Sequence, residues 1–217
     1  MVEQRTTDES RDTRGLILER AKDLFLTQGY HRTSMRQIAA AAGISTGPLY
    51  FHFQNKAEVV FHICNEALDR LTSEYRRIAA ADGHAALRLR ETYQVYRSFH
   101  RQEPQMFEIL KLVTHPLGGI QLPAEMAAAL GRKSRGMFEV MEEIIRTGIA
   151  RREIRQLDPK ALALSLYSMA EGILMSDQSG MLANCGLSLA ETIETAMDVL
   201  GLGMVERGDG QQIPECH

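Results

Sequence analysis

The 217-residue chain has no tryptophan, three cysteines, six prolines and no long apolar run, and these shortages exclude several classes of protein. Cys64, Cys185 and Cys216 are far apart, odd in number and form no C-x-x-C pair, so neither a disulfide framework nor a thiolate metal site is indicated. No stretch approaches the roughly 20 apolar residues that span a bilayer, and the polar start, Met1 to Asp12, lacks the apolar core of a signal peptide. A cytoplasmic protein without membrane contact is therefore expected. The net charge of −3 speaks against coating nucleic acid by bulk attraction, because such binding is driven by phosphate neutralisation. No segment alternates β-branched with polar residues over a strand length, and there is no internal repeat.

What is present is ordinary globular usage, 44% hydrophobic and 24% charged, arranged as capped segments of helical period. The spacing predicts an all-α chain of nine helices. The first runs from about Ser10 to Gln28, with Ile17, Leu18, Ala21, Leu24 and Phe25 on one face and Gly29 as its stop. Ser34 followed by Gln37 has the form of a capping box and opens a short second helix ending at Gly43; Ser45 caps a third, Thr46 to Phe53. Asn55 with Glu58 starts a long fourth helix to about Ala80. Two helices follow, around Leu89 to Phe99 and Pro104 to Val113, closed by "HPLGGIQLP"; a long seventh starts at Pro123. Asp158-Pro159 opens an eighth that runs to about Ser176, and Ser188 with Glu191 a ninth. The expected division is residues 1–54, residues 55–205 and a flexible tail at 206–217.

The stretch "RQIAAAAGISTGPLYFHF", Arg36 to Phe53, crowds small residues beside aromatic ones. Two short helices joined by a tight glycine turn, held by a preceding helix, form a helix-turn-helix unit. Ala39 suits the closest approach of the second and third helices, Gly43 the positive φ between them, and Ile38, Ile44 and Leu49 a shared core. Phe51 and Phe53 are expected to pack on the first and fourth helices. The outer face then presents Ser45, Thr46, Gly47, Pro48, Tyr50 and His52 to the major groove, with Arg36 as a fork for a guanine edge and Lys56 as a cation at a helix start.

The segment "TSMRQIAAAAGISTGPLYFHFQNKAEVV", Thr33 to Val60, preceded by "AKDLFLTQGYHRTS", resembles the N-terminal signature of the tetracycline-repressor (TetR) family of bacterial transcription regulators. The resemblance implies a three-helix DNA-binding domain linked by a long fourth helix to a C-terminal helical domain for ligand binding and dimerisation. It implies a homodimer on a palindromic operator, double-stranded DNA that an effector releases. It places Ser34, Arg36, Thr46, Gly47, Tyr50, His52 and Lys56 where family members commonly contact DNA. "GIARREIRQLDPKALALSLYSMAEGIL" is similar in layout to a helix junction of the family's variable C-terminal part.

In that second region, Tyr93, Tyr96, Phe99, Phe107, Phe138, Met141, Tyr167 and Glu171, with His62 and His100 as polar partners, are the candidate pocket for an apolar or aromatic effector. Glu171 interrupts an apolar helix and needs a partner, in the pocket or at a subunit interface. Leu164, Ser168, Gly172 and Met175 on the eighth helix, and Leu189, Ile193, Ala196 and Leu200 on the ninth, are the candidate dimer face. No metal, cofactor or catalytic residue is expected. The rival is a helical enzyme or metal protein with His62, His84, His100 and His115 converging; no H-E-x-x-H, G-x-S-x-G or Walker-type loop supports it. An architectural DNA binder without an effector would leave the long C-terminal region without a use.

Overall fold

The computed structural model describes residues 2–114 and 119–204, with side chains from residue 12 onward other than residue 202. Every regular element among them is a helix: α1 (Val2–Thr27), α2 (Met35–Ala41), α3 (Thr46–His52), α4 (Lys56–Ala80), α5 (Ala85–Gln102), α6 (Pro104–Thr114), α7 (Ala124–Ala150), α8 (Pro159–Gln178), α9 (Met181–Asn184) and α10 (Leu189–Met204). The start of α1 precedes the expected one by two turns, because residues 2–13 contain neither Gly nor Pro to interrupt it. The single turn α9 is the unexpected tenth helix. It sits between Gly180 and Gly186, both at positive φ, and four residues are too few to show a period. The expected tail at 206–217 and part of the "HPLGGIQLP" break lie outside the described residues.

The capping signals position the helices. Ser34 and Gln37 exchange the two hydrogen bonds of a capping box, the Glu58 amide donates to Asn55 Oδ1 at 2.9 Å, and the Ala161 amide donates to Asp158 Oδ1 at 2.8 Å. Ser188 and Glu191 form a second capping box.

The chain forms two compact units, which do not divide at residue 54. One comprises the residues up to Arg70 with Phe99–Ser134, the other Leu71–Ser98 with the residues from Arg135. In the first, Ile17, Leu18, Ala21 and Phe25 of α1 are buried together with Ile38, Ala39, Leu49 and Phe53. The first half of α4 belongs to the same unit, burying Val59, Val60, Ile63, Cys64, Ala67 and Leu68, and α6 packs on α1. Arg14 ties this unit together: Nη1 bonds Glu66 Oε1 at 2.7 Å and the guanidinium lies 5.4 Å from the Phe53 ring centroid.

The second unit is held at the start of α5. The Ala85 amide donates to Glu153 Oε2 at 2.6 Å, placing a carboxylate on the positive end of that helix. Arg88, only 5% exposed, donates from Nη1 to the Ala79 carbonyl at 3.0 Å, where the negative end of α4 offsets its charge. Gly148 lets α7 approach this corner, for a Cβ there would lie 2.5 Å from Ala85 Cβ and 2.8 Å from Ile154 Cδ1. Ala favours a helix over Gly by about 1 kcal/mol, but this overlap with buried neighbours costs about 1–3 kcal/mol. Gly148→Ala is therefore expected to lower unfolding free energy in a urea titration, where an ordinary helix-favouring substitution would raise it.

Candidate functional site

The α2–α3 pair is built around a close backbone approach. Ala39 is 1% exposed, its carbonyl accepts from the Ile44 amide at 3.0 Å, and Gly43 turns the chain at φ +68. Ile38 and Leu49, both fully buried, fill the shared core, while Ile44 is half-buried. Ala42 is buried as well, and Ala40 and Ala41 are exposed helix formers.

The outer face of α3 is open. Ser45, Thr46, Gly47, Pro48 and Tyr50 are exposed, and the Ser45 side chain makes no capping bond, which leaves its hydroxyl for an outside acceptor. Pro48 sits in the first turn, where the missing N–H breaks no helical bond. His52 is half-buried, and burial with the nearby Arg14 charge holds it below its ordinary value, so the ring is neutral at pH 7. Arg36 is exposed and has no hydrogen-bond or ion-pair partner among the described residues.

Two expected contact residues have internal partners. The Ser34 hydroxyl is engaged with Gln37 in the capping box. Lys56 Nζ donates to the carbonyls of Tyr30 and Thr33, the latter at 2.7 Å, and lies 4.2 Å from the Tyr30 ring centroid. Lys56 thus fastens the start of α4 to the α1–α2 connector. Phe51 corrects an expectation: it is 82% exposed, whereas Phe53 is fully buried against His62 and Arg14. Leu49 and Phe53, at i and i+4, define the inward face, which turns Phe51 outward beside Tyr50.

In the second unit, six of the candidate pocket residues gather. Tyr93, Tyr96, Met141 and Tyr167 line a cavity with Tyr75 of α4, and Phe138 meets the Tyr167 ring at 5.0 Å. Glu171 finds its partner here, since the Tyr96 hydroxyl donates to Glu171 Oε2 and Tyr167 shares the network. Burial, followed by the neighbouring Tyr167 and the Glu171 carboxylate, raises the Tyr96 hydroxyl far above its ordinary range; burial pushes Tyr93 up to about 12. Both are proton donors at neutral pH.

The other four belong to the first unit and do not line this cavity. His62 packs on Phe53 at 5.6 Å, and Phe99 and His100 both meet Phe107, at 6.0 and 4.8 Å. Aromatic residues at helical spacing served here as core, which periodicity cannot tell from pocket. Among the described residues no three His, Cys, Asp or Glu side chains are placed to hold a metal ion. His84 Nδ1 lies 3.2 Å from the Ala86 amide at the start of α5, and His115 lies outside the described residues.

The candidate dimer residues divide in the same way. On α8, Leu164 and Met175 are 57% and 44% exposed, with Ser168 and Gly172 exposed between them, so one face of this helix has no partner among the described residues. On α10, Leu189 and Ala196 are half-buried, but Ile193 is 2% exposed and Leu200 borders a crevice shared with α5. Ile193 therefore belongs to the core of its own chain, and Val199, 65% exposed and not anticipated from the sequence, is a large apolar residue that α10 presents outward.

Residues 17–63, which hold α2, α3 and the start of α4, match the family model of bacterial regulatory proteins of the tetR family. The chain is 26% identical over 160 residues to the HTH-type transcriptional activator FasR of Mycolicibacterium smegmatis, covering 72% of this chain and 70% of that one. It is 38% identical over 78 residues to the HTH-type transcriptional regulator TtgR of Pseudomonas putida, an alignment that covers 36% of this chain and only 35% of TtgR. The fold is shared with AibR in complex with isovaleryl coenzyme A and operator DNA, at a TM-score of 0.60 and 26% identity over 73% of this chain and 83% of AibR. The helix-turn-helix region, residues 17–63, is that of bacterial regulatory proteins of the tetR family, which are DNA-binding transcriptional regulators.

The contrast within α3 is directly testable. Phe53→Ala is expected to cost about 3–5 kcal/mol in chemical denaturation, as for a buried aromatic residue, whereas Phe51→Ala should stay within about 0.5 kcal/mol of wild type, as for an exposed one. A large loss for Phe51→Ala would show that the outward face of α3 is misplaced.

Proposed function

We propose that the protein binds a palindromic operator in the cytoplasm as a homodimer, reading one half-site with each α3, and represses transcription until an effector releases it. The observation that carries this reading is the open outer face of α3 above the tightly packed Ala39–Gly43 turn. Thr46 and Pro48 offer apolar contact to a thymine methyl, Ser45, Tyr50 and His52 hydrogen bonds to phosphate, and Arg36 a guanine edge. Gly47 lets the backbone come close, and the starts of α2 and α4, at Ser34 and Lys56, supply amides to the phosphates. The net charge of −3 places affinity in these local contacts rather than in bulk attraction.

The unpartnered face of α8, with Leu164, Ser168, Gly172 and Met175, packs against its copy, flanked by Leu189, Ala196 and Val199 of α10. The effector binds in the second unit, on the side where Tyr93, Tyr96, Met141 and Tyr167 gather with Tyr75. AibR, with isovaleryl coenzyme A and operator DNA bound together, supports such a pairing of sites on this fold. Coupling runs through α4: Tyr75 near its end lines the cavity, and Lys56 at its start grips the connector that precedes α2. A ligand that displaces α4 therefore drags the reading head, and two heads about one DNA turn apart tolerate little displacement. The likeness to FasR, an activator, favours activation as the second reading of the outcome at a promoter.

Tyr50→Ala is the test. Fluorescence anisotropy at fixed salt with DNA flanking the gene should show operator affinity reduced about tenfold, equivalent to about 1.4 kcal/mol, while sedimentation still reports a dimer. Unchanged affinity would remove α3 from the groove.

A further inference from the structure

The tyrosine-lined cavity has a volume of about 20 Å³, room for a single water. Ordinary ligand sites occupy about 300–1,000 Å³, so the effector needs more space than this cavity gives. Two larger spaces adjoin it. A mostly apolar crevice of about 480 Å³ is bordered by Leu87 and Leu89 of α5 and by Leu200 and Met204 of α10; a polar one of about 200 Å³ is bordered by Arg90, Tyr93, Gln94 and Arg97. Met197 borders all three spaces, and Tyr93 borders both the cavity and the polar crevice. Methionine is flexible enough to move aside for a ligand and refill the gap afterwards.

The polar groups around this crevice are unequally matched. Tyr93 is 7% exposed, and its hydroxyl is buried with no hydrogen-bond partner among the described residues. Such a group is costly to the fold and calls for an acceptor from elsewhere. Arg90 is ion-paired with Glu194, but Arg97, close enough to act on Tyr93, has no ion-pair or hydrogen-bond partner among the described residues. The carboxylate that borders the polar crevice, Glu194, is the one that Arg90 neutralises. Leu87, 60% exposed on the rim, extends the apolar floor.

We propose that the crevice between α5 and α10 is a site for a single-tailed carboxylate, with its head on Tyr93 and Arg97, its chain along Leu87, Leu89, Leu200 and Met204, and Met197 as the gate to the tyrosine cavity. This inference rests on the reading of the second unit as effector-binding and specifies the effector's chemistry. The head accepts a hydrogen bond from Tyr93 Oη and forms a charge-assisted pair with Arg97. The chain gains about fourfold in affinity for each methylene it buries.

Isothermal titration of the full chain with octanoate, decanoate and decanol tests it. Decanoate is expected to bind saturably, about fifteenfold more tightly than octanoate for its two added methylenes and at least tenfold more tightly than decanol. Arg97→Gln should cost decanoate about tenfold and leave decanol unchanged. Tyr93→Phe should weaken decanoate similarly while thermal stability holds or rises, because the hydroxyl it removes has no partner among the described residues. Equal affinities for decanoate and decanol, or indifference to Arg97→Gln, would overturn the inference. So would a Leu87→Asp variant that turns dimers into monomers in a protein that takes up no decanoate, since the crevice would then be a subunit contact. Operator binding measured on the same samples separates the two readings. Specific DNA binding without decanoate uptake overturns the carboxylate site alone, and decanoate uptake without specific DNA binding supports the site and removes the regulator reading.

Discussion

The near-contact of α2 with α3 is the constraint on which the functional surface depends. A side chain of one carbon at Ala39 and a left-handed backbone at Gly43 bring the two helices together, and the Ile44 amide closes the turn on the Ala39 carbonyl. Because Ile38 and Leu49 fill the small space that remains, the rotation of α3 about its axis is fixed. That rotation decides which residues face outward. With Leu49 and Phe53 turned in, Thr46, Tyr50 and Phe51 must turn out.

A second fastening holds this surface within the first unit. Lys56 gives its ammonium to two carbonyls of the connector between α1 and α2, and Arg14 reaches from α1 to Glu66 on α4. Both joints load onto α4, which continues into the second unit and there carries the buried Tyr75. The second unit keeps its polar groups in a small network of Tyr96, Tyr167 and Glu171 while leaving the Tyr93 hydroxyl unmatched.

Legibility in the sequence followed the range of the physics. Helix starts were readable because caps are local: Ser34, Asn55, Asp158 and Ser188 each mark a start through bonds within three residues. Glu171 was readable as a residue in need of a partner, since an unpaired carboxylate on an apolar helix is costly; that the partner is Tyr96, 75 residues away, was not. The faces of aromatic residues were harder. Phe51 and Phe53 are the same side chain two positions apart, yet one is exposed and the other buried, and only the i, i+4 relation to Leu49 separates them. His62, Phe99, His100 and Phe107 went to the first unit because α4 and α5 are each divided between the units and α6 falls in the first, a tertiary choice with no local signal. Ile193 and Val199 likewise lie on one apolar helix, and which of them faces outward depends on where α5 and α8 pack.

The Ala39 contact sets the orientation of α3, and Ala39→Leu tests this most directly. Competition binding would compare the palindrome with random duplex at equal salt, with helical content followed by circular dichroism. The account expects helical content to survive and the preference for the palindrome to collapse, since the added volume forces α2 and α3 apart. A variant that keeps the wild-type preference would contradict it, because the orientation of α3 would then not depend on that contact.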